Sequence, residues 1–347
     1  MTSVVSRRNV IGSLAATSAM PLWPLFALAA STTSHSFKFG AFEISVVSDG
    51  HMTVPTRFLA RNVSEREIKY WLGQSADMVT PATNVTLVRT PLDLILIDVG
   101  AGPHFMPTVG KLAENMETAG IDRKAVTKVV ITHAHPDHLW GTLDDFDNAP
   151  MFPNATYEVS AAEWNFWMAE DIVLRLPEDR QNFSPGAKRN LAAIKDKVRM
   201  IKPGQDIVTG IRAIDTSGHT PGHLAIEIAS GRESLIVLAD ALTHPTISFA
   251  HPEWTPAAGG SRSRHGLVST WWGAGWRGLG LGHLITWPKL NYVTQAGLRQ
   301  GELGGASACS LIDWAPSLQE LLTASQARRA VATSSIRSAR LRRRQTR

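Results

Sequence analysis

The 347 residues, 44% of them hydrophobic, suffice for one large or two ordinary globular domains and exclude a disordered chain. The net charge of +5 points to nucleic acid only until it is divided: 13 Lys and Arg against 3 Asp and Glu follow Trp254, leaving 22 against 27 before it. The body is therefore acidic, and the basic excess is a tail ending in Arg340, Arg342, Arg343, Arg344 and Arg347, read as solvated and not as a nucleic-acid surface.

The chain opens with Arg7-Arg8, an apolar stretch to Ala30 interrupted by Pro21 and Pro24, and a small-residue site at Ala27-Leu28-Ala29. That pattern is a signal peptide over residues 1–30, and its paired arginines resemble the twin-arginine export signal, although Val10-Ile11-Gly12 matches that signal only loosely. Periplasmic or exported localisation is expected, with no stable membrane anchor, because the prolines break an apolar stretch already short of a comfortable span. Such export carries folded, metal-loaded proteins. Cys309 is the single cysteine, so no intrachain disulfide forms, and any metal must be held by His, Asp or Glu.

After the leader, Phe39 to Ser48 reads as a strand running into an Asp49-Gly50 turn, and Val85 to Ile97 as a second with a hairpin near Pro91-Leu92-Asp93. Leu112 and Met116 repeat at helical spacing before Gly120, placed to end the helix. Val129-Val130-Ile131 is a short buried strand. Residues 158–200 read as mainly helical, with Ser184-Pro185-Gly186 as a breaker. Strands return at Ile211–Ile214, Leu224–Ile228 and Leu235–Leu238. Because strands deliver each polar cluster, the expected architecture is a layered α/β domain with its site along one sheet edge.

The strongest chemical signal is Thr132-His133-Ala134-His135-Pro136-Asp137-His138, directly after the buried strand. Three imidazoles and a carboxylate on one tight loop make a poor core and a poor surface, whereas zinc takes such nitrogen and oxygen donors. Two further loops each come after a strand: Ser217-Gly218-His219-Thr220-Pro221-Gly222-His223 and Leu238-Ala239-Asp240-Ala241.

Taken together, these three loops resemble the ordered motifs of the metallo-β-lactamase superfamily, over residues 37–254, in the branch containing methyl parathion hydrolase and quorum-quenching lactonases. The resemblance implies a four-layer αβ/βα sandwich. It implies two divalent metal ions, zinc being expected, with His133, His135 and His219 on one, Asp137 and His138 on the other, and Asp240 bridging. Asp98 matches the family's supporting carboxylate, which orients ligands. The first histidine of the second motif is the family's ligand, so His223 is read as structural, and His244 and His251 as structural or pocket-lining.

Such a site implies a hydrolase in which a metal-bridged hydroxide, formed because coordination lowers the pKa of water from 15.7 to roughly 7, attacks a polarised carbonyl or phosphoryl group. Asp137 and Asp240 are the candidates to steer or accept the proton. The expected partner is a small-molecule substrate, and a homodimer is left open. Lactonases of the branch usually carry a tyrosine three residues after the bridging aspartate, where this chain has Thr243. Asp240-Ala241-Leu242-Thr243-His244-Pro245 is closer to the parathion-hydrolase side, which leaves esters, phosphotriesters and lactones with a bulky apolar part.

The family's usual C-terminal histidine, in a stretch resembling His-Phe-Pro-Phe-Pro-Gly, is missing. Beyond Trp254 the composition changes: no acid occurs between Thr255 and Gly301, and Trp271, Trp272, Trp276 and Trp287 crowd a Gly- and Arg-rich run. Residues 255–347 are therefore read as an atypical basic segment, disordered or translated in a shifted frame. The alternative is a divergent C-terminus in which His283, ahead of His265, completes the second metal site. A degenerate homologue with an incomplete site and little turnover is the rival functional reading.

Overall fold

In the computed structural model the chain divides into Met1–Ser31 and Thr32–Arg347. The structure describes residues 33–256, apart from positions 74, 76, 232, 245, 246, 249, 250 and 252, and the backbone of three short strands beyond them. The signal-peptide reading and most of residues 257–347 lie outside the described residues. No described helix is long and apolar enough to cross a membrane.

In chain order the elements begin with β1 (Ser34–Phe39), β2 (Phe42–His51), β3 (Val54–Pro55), α1 (Glu65–Leu72), β4 (Met78–Val79), β5 (Ala82–Arg89) and β6 (Leu94–Ile97). They continue with α2 (Leu112–Thr118), β7 (Lys128–Ile131), α3 (Pro136–Leu139), β8 (Thr156–Ser160), α4 (Ala161–Met168), α5 (Ile172–Arg175) and α6 (Phe183–Ile194). The last are β9 (Val198–Ile201), β10 (Asp206–Val208), β11 (Ile211–Asp215), β12 (Leu224–Ser230), β13 (Glu233–Val237), β14 (His283–Ile285), β15 (Leu298–Gln300) and β16 (Cys309–Leu311).

Seven strands form one sheet in the order β1-β2-β5-β6-β7-β8-β9, and a second sheet runs β10-β11-β12-β13-β14. The first is antiparallel as far as β6 and parallel from β6 to β9. Its central strands are apolar throughout because both faces are covered. Ile95 and Ile97 point to the second sheet, packing with Val130, Ile226 and Val237. Leu94 and Leu96 point to the helices, packing with Met116, Trp167, Leu191 and Ile194. Each such fully buried aliphatic side chain contributes about 1.5–3 kcal/mol. On β12 the alternation is plain: Leu224, Ile226 and Ile228 enter the core between the sheets, while Glu227 faces outward and accepts a hydrogen bond from Ser234. Helices, first sheet and second sheet are three of the four layers expected.

Three expectations need correction. Thr156–Ser160 and Val198–Ile201 are strands, not parts of a helical stretch; they complete the parallel side of the first sheet. Ser184-Pro185-Gly186 is not a breaker but the first turn of α6, where proline removes an N–H that has no partner within the helix. Asp49-Gly50 is not a turn. Both residues lie inside β2, where the register shifts between Ser48 and Gly50 and Gly50 takes φ 113°. The helix before Gly120 is as expected: Gly120 takes φ 70°, and the next amide, Ile121 N–H, closes on Met116.

Candidate metal centre

The candidate ligands meet where strands of both sheets end, the usual place for a site in an α/β layer. β6 ends at Ile97 and passes to Asp98, β7 to Thr132 and His133, and β13 to Asp240. The loop carrying His219 enters β12, and Leu224 N–H donates to Thr132 O at 3.0 Å, joining the sheets at the site. His135 precedes the short α3, whose first residue, Pro136, has the preset φ that begins a helical turn and aims Asp137 and His138 back at the cluster.

Two donor groups result, His133, His135, His219 and Asp240, and Asp137, His138 and Asp240. Asp240 divides itself between them. Its Oδ2 lies 3.1 Å from His219 Nε2 and 3.8 Å from His133 Nε2, and its Oδ1 lies 3.3 Å from His138 Nε2. Asp137 is 3.4 Å from the same His138 nitrogen. In the first group His133 Nε2 and His135 Nδ1 are 3.1 Å apart, and His219 Nε2 and His135 Nδ1 2.8 Å apart.

That arrangement fits divalent cations. Three converging imidazole nitrogens cannot all satisfy one another, since each N–H···N contact uses one donor and one acceptor, whereas a cation takes all three lone pairs. Tetrahedral zinc with Zn–N bonds of about 2.0–2.1 Å sets its donors roughly 3.3 Å apart, near the spacing found. For His133 and His135 the protonation state agrees. Burial, and then the neighbouring imidazoles, hold His133 and His135 well below their ordinary values, in the neutral form that ligates. Burial would lower His138 too, but the carboxylates of Asp137, Asp240 and Asp98 outweigh it and raise it well above. Asp240 keeps 23% exposure; burial of the site opposes its ionisation, yet His138 and His219 hold it well below the usual carboxylate range.

Polar contacts around the cluster orient these candidate ligands. Asp98, fully buried at φ 65°, accepts from Thr132 N–H at 2.7 Å, Thr132 Oγ1 at 2.8 Å and His138 Nδ1 at 2.7 Å, so His138 presents Nε2 to the site. His223 is buried and belongs to neither donor group; its Nε2 accepts Asp240 N–H at 3.2 Å and its Nδ1 meets Thr216 Oγ1 at 2.7 Å. Ala239, before Asp240, also holds a left-handed φ of 46°, strain of the kind kept where a side chain must be aimed.

Sequence reasoning missed two carboxylates. Asp49 accepts from Ala101 N–H at 2.8 Å and Leu112 N–H at 2.9 Å, pinning the loop after Asp98 and the start of α2. Glu163 on α4 is fully buried and accepts from Ala134 N–H at 2.9 Å, Trp167 Nε1 at 2.7 Å, Thr220 Oγ1 at 2.6 Å and Gly222 N–H at 2.9 Å. The sole signal was an acid beside Trp164, Phe166 and Trp167 on a helix otherwise made for the core.

Beside the cluster opens a cavity of about 600 Å³. Met52, Val54, Phe58 and Leu59 line one part, Phe105, Trp140 and Phe183 another, and His135, Asp137, His138 and Asp240 also border it. Phe105, Trp140 and Phe183 meet edge to face, with ring centroids 5.7–6.4 Å apart. Thr243 and His244 reach the cavity, whereas His251 stacks on Trp254 at 4.0 Å. Strand β14 runs parallel to β13 with His283 level with Leu235 and Ile285 level with Val237. Its side chains, like His265, lie outside the described residues.

The profile of the Metallo-beta-lactamase superfamily matches residues 79–275, more than half of the chain. The chain belongs to the metallo-beta-lactamase superfamily. Among curated relatives, YobT of Bacillus subtilis is 30% identical over 34% of this chain and 47% of its own length. The probable metallo-hydrolase Rv2300c of Mycobacterium tuberculosis is 27% identical over 46% and 57%. The matched stretches thus span about half of those relatives' lengths. Among solved structures, AidC, a dizinc quorum-quenching lactonase, superposes with a TM-score of 0.66 at 26% identity, over 74% of this chain and 91% of its own. AbOPH, a hydrolase of the beta-lactamase superfamily, has a TM-score of 0.68 at 24% identity over 78% and 94%, a likeness of fold.

Proposed function

We propose that the chain is a metal-dependent hydrolase that cleaves an ester, lactone or phosphotriester with the help of two divalent cations, zinc being the fitting ion. The observation that carries this reading is the division of Asp240 between two donor groups at the wall of a largely apolar cavity. When bound, the cations supply a water acidic enough to ionise near neutral pH and an electrophile for a carbonyl or phosphoryl oxygen. The chain's own residues do the rest. Asp240 holds the two groups in register, and Asp137, at the cavity edge, is placed to accept a proton as the nucleophile forms. Phe105, Trp140 and Phe183 take the apolar part of the substrate and exclude bulk water.

The dizinc lactonase AidC supports the reaction class by likeness. Export through the twin-arginine leader is proposed with it, from the leader's residues. The test is metal content per chain together with turnover of lactones, aryl esters and phosphotriesters. Two metals with turnover are expected.

One observation favours a second reading, a degenerate homologue. Among the described residues the second group has only Asp137 and His138 besides the shared Asp240. One metal per chain with no turnover on any substrate would decide for it.

A further inference from the structure

We propose that Glu163 is a positioning residue for one metal site only, that of His133, His135 and His219. The proposal rests on the two-metal reading of the site.

Glu163 has no exposed surface, and its four hydrogen bonds use both carboxylate oxygens. Oε1 accepts from Ala134 N–H, the amide between His133 and His135, and from Trp167 Nε1. Oε2 accepts from Thr220 Oγ1 and from Gly222 N–H, both in the loop of His219. Two loops about ninety positions apart in sequence, which together carry the three histidines of one donor group, are thus clamped on a single carboxylate. The parts meet closely: a methyl group on Gly222 would overlap the Glu163 backbone nitrogen. The other donor group is held from elsewhere, since His138 Nδ1 binds Asp98, and none of these four bonds reaches Asp137 or His138.

A carboxylate suits this place because all four partners are donors. Glutamine fails there. Whichever way its amide turns, an NH2 faces the main-chain N–H of Ala134 or of Gly222, so one loop loses its tether while the side-chain volume is kept.

The experiment titrates metal-free wild type, Glu163→Gln and Thr220→Val with Co(II) against a competing chelator. Hyperfine-shifted imidazole N–H resonances separate the sites. The His133 N–H directed at Thr132 reports the first, and the His138 N–H held by Asp98 reports the second. In Glu163→Gln the first site should weaken about 10–100-fold, as loss of a ligand-orienting partner does, while the second changes less than about threefold. Thr220→Val removes one donor and leaves the carboxylate with three; it should weaken the first site several-fold, and it carries the test should Glu163→Gln fail to fold. A residue serving stability alone would lower the melting temperature without changing the ratio of the two affinities. Equal weakening of both sites, or none, in a wild type that binds two ions overturns the proposal. A wild type that binds none overturns the metal reading, and this inference with it.

Discussion

Replacing Asp49 by asparagine probes how the strand edge under the site is held. The Asp49 side chain, 1% exposed, accepts the N–H groups of Ala101 and Leu112. Burial raises its pKa from 3.8 to about 6, against the pull of those amides and with some repulsion from Asp137. The folded state therefore holds this proton more tightly than the unfolded one. The stability it contributes is complete below about pH 4 and is lost as the pH rises through 6. Linkage between these two values gives a change of about 1 kcal/mol between pH 5 and pH 7. Asparagine does not titrate, and it sets one acceptor and one NH2 against two N–H groups, a cost of about 1–3 kcal/mol. Urea unfolding of chelator-treated wild type and Asp49→Asn at both pH values isolates the effect, since other titrating groups cancel in the difference. The wild-type advantage should be about 1 kcal/mol larger at pH 5. An advantage equal at the two pH values, or larger at pH 7, would refute the assignment of a buried, proton-retaining Asp49.

The same contacts carry further expected outcomes. Asp98→Asn turns an amide toward donors that now meet a carboxylate, so His138 loses its orienting partner; turnover of the lactone, ester and phosphotriester panel should fall about 10–100-fold with the fold retained by circular dichroism. Gly186→Ala would drive a methyl group into the Trp140 ring, which lines the cavity; KM for bulky substrates should change several-fold more than for small ones, with metal content unchanged. Gly222→Ala meets backbone instead of a side chain that can move, and its melting temperature should drop more than that of Gly186→Ala. Metal removal should lower stability by about 2.7 kcal/mol for each occupied site, relative to a solution holding the metal at 100 times its Kd, read as a shift in urea midpoint.

What was legible in the sequence is what depends on neighbours along the chain. The apolar run Leu94–Ile97 declares a strand buried on both sides, and Gly120 a helix end. The dense loop His133 to His138 declares a candidate ligand set, because three imidazoles and a carboxylate so close together suit neither core nor surface. Where local pattern competes with packing, the sequence misleads. Thr156–Ser160 has little to separate it from the helix it precedes, and becomes a strand because β7 offers it a parallel partner. Pro185 reads as an interruption until the helix is seen to start just before it.

Through the resemblance of its local motifs to a family, the sequence by itself therefore determined the sandwich class and pointed to the six residues that the structure gathers into two donor groups, with Asp98 beside them. Only the tertiary structure decided which oxygen of Asp240 faces which group, that His223 holds the Asp240 backbone, and that Asp49 and Glu163 clamp loops distant in sequence. For the two carboxylate clamps the physical reason is common. A buried carboxylate is tolerable only where enough donors converge on it, and the donors to Asp49 and Glu163 include main-chain N–H groups from distant loops, which every residue but proline carries and no sequence pattern marks.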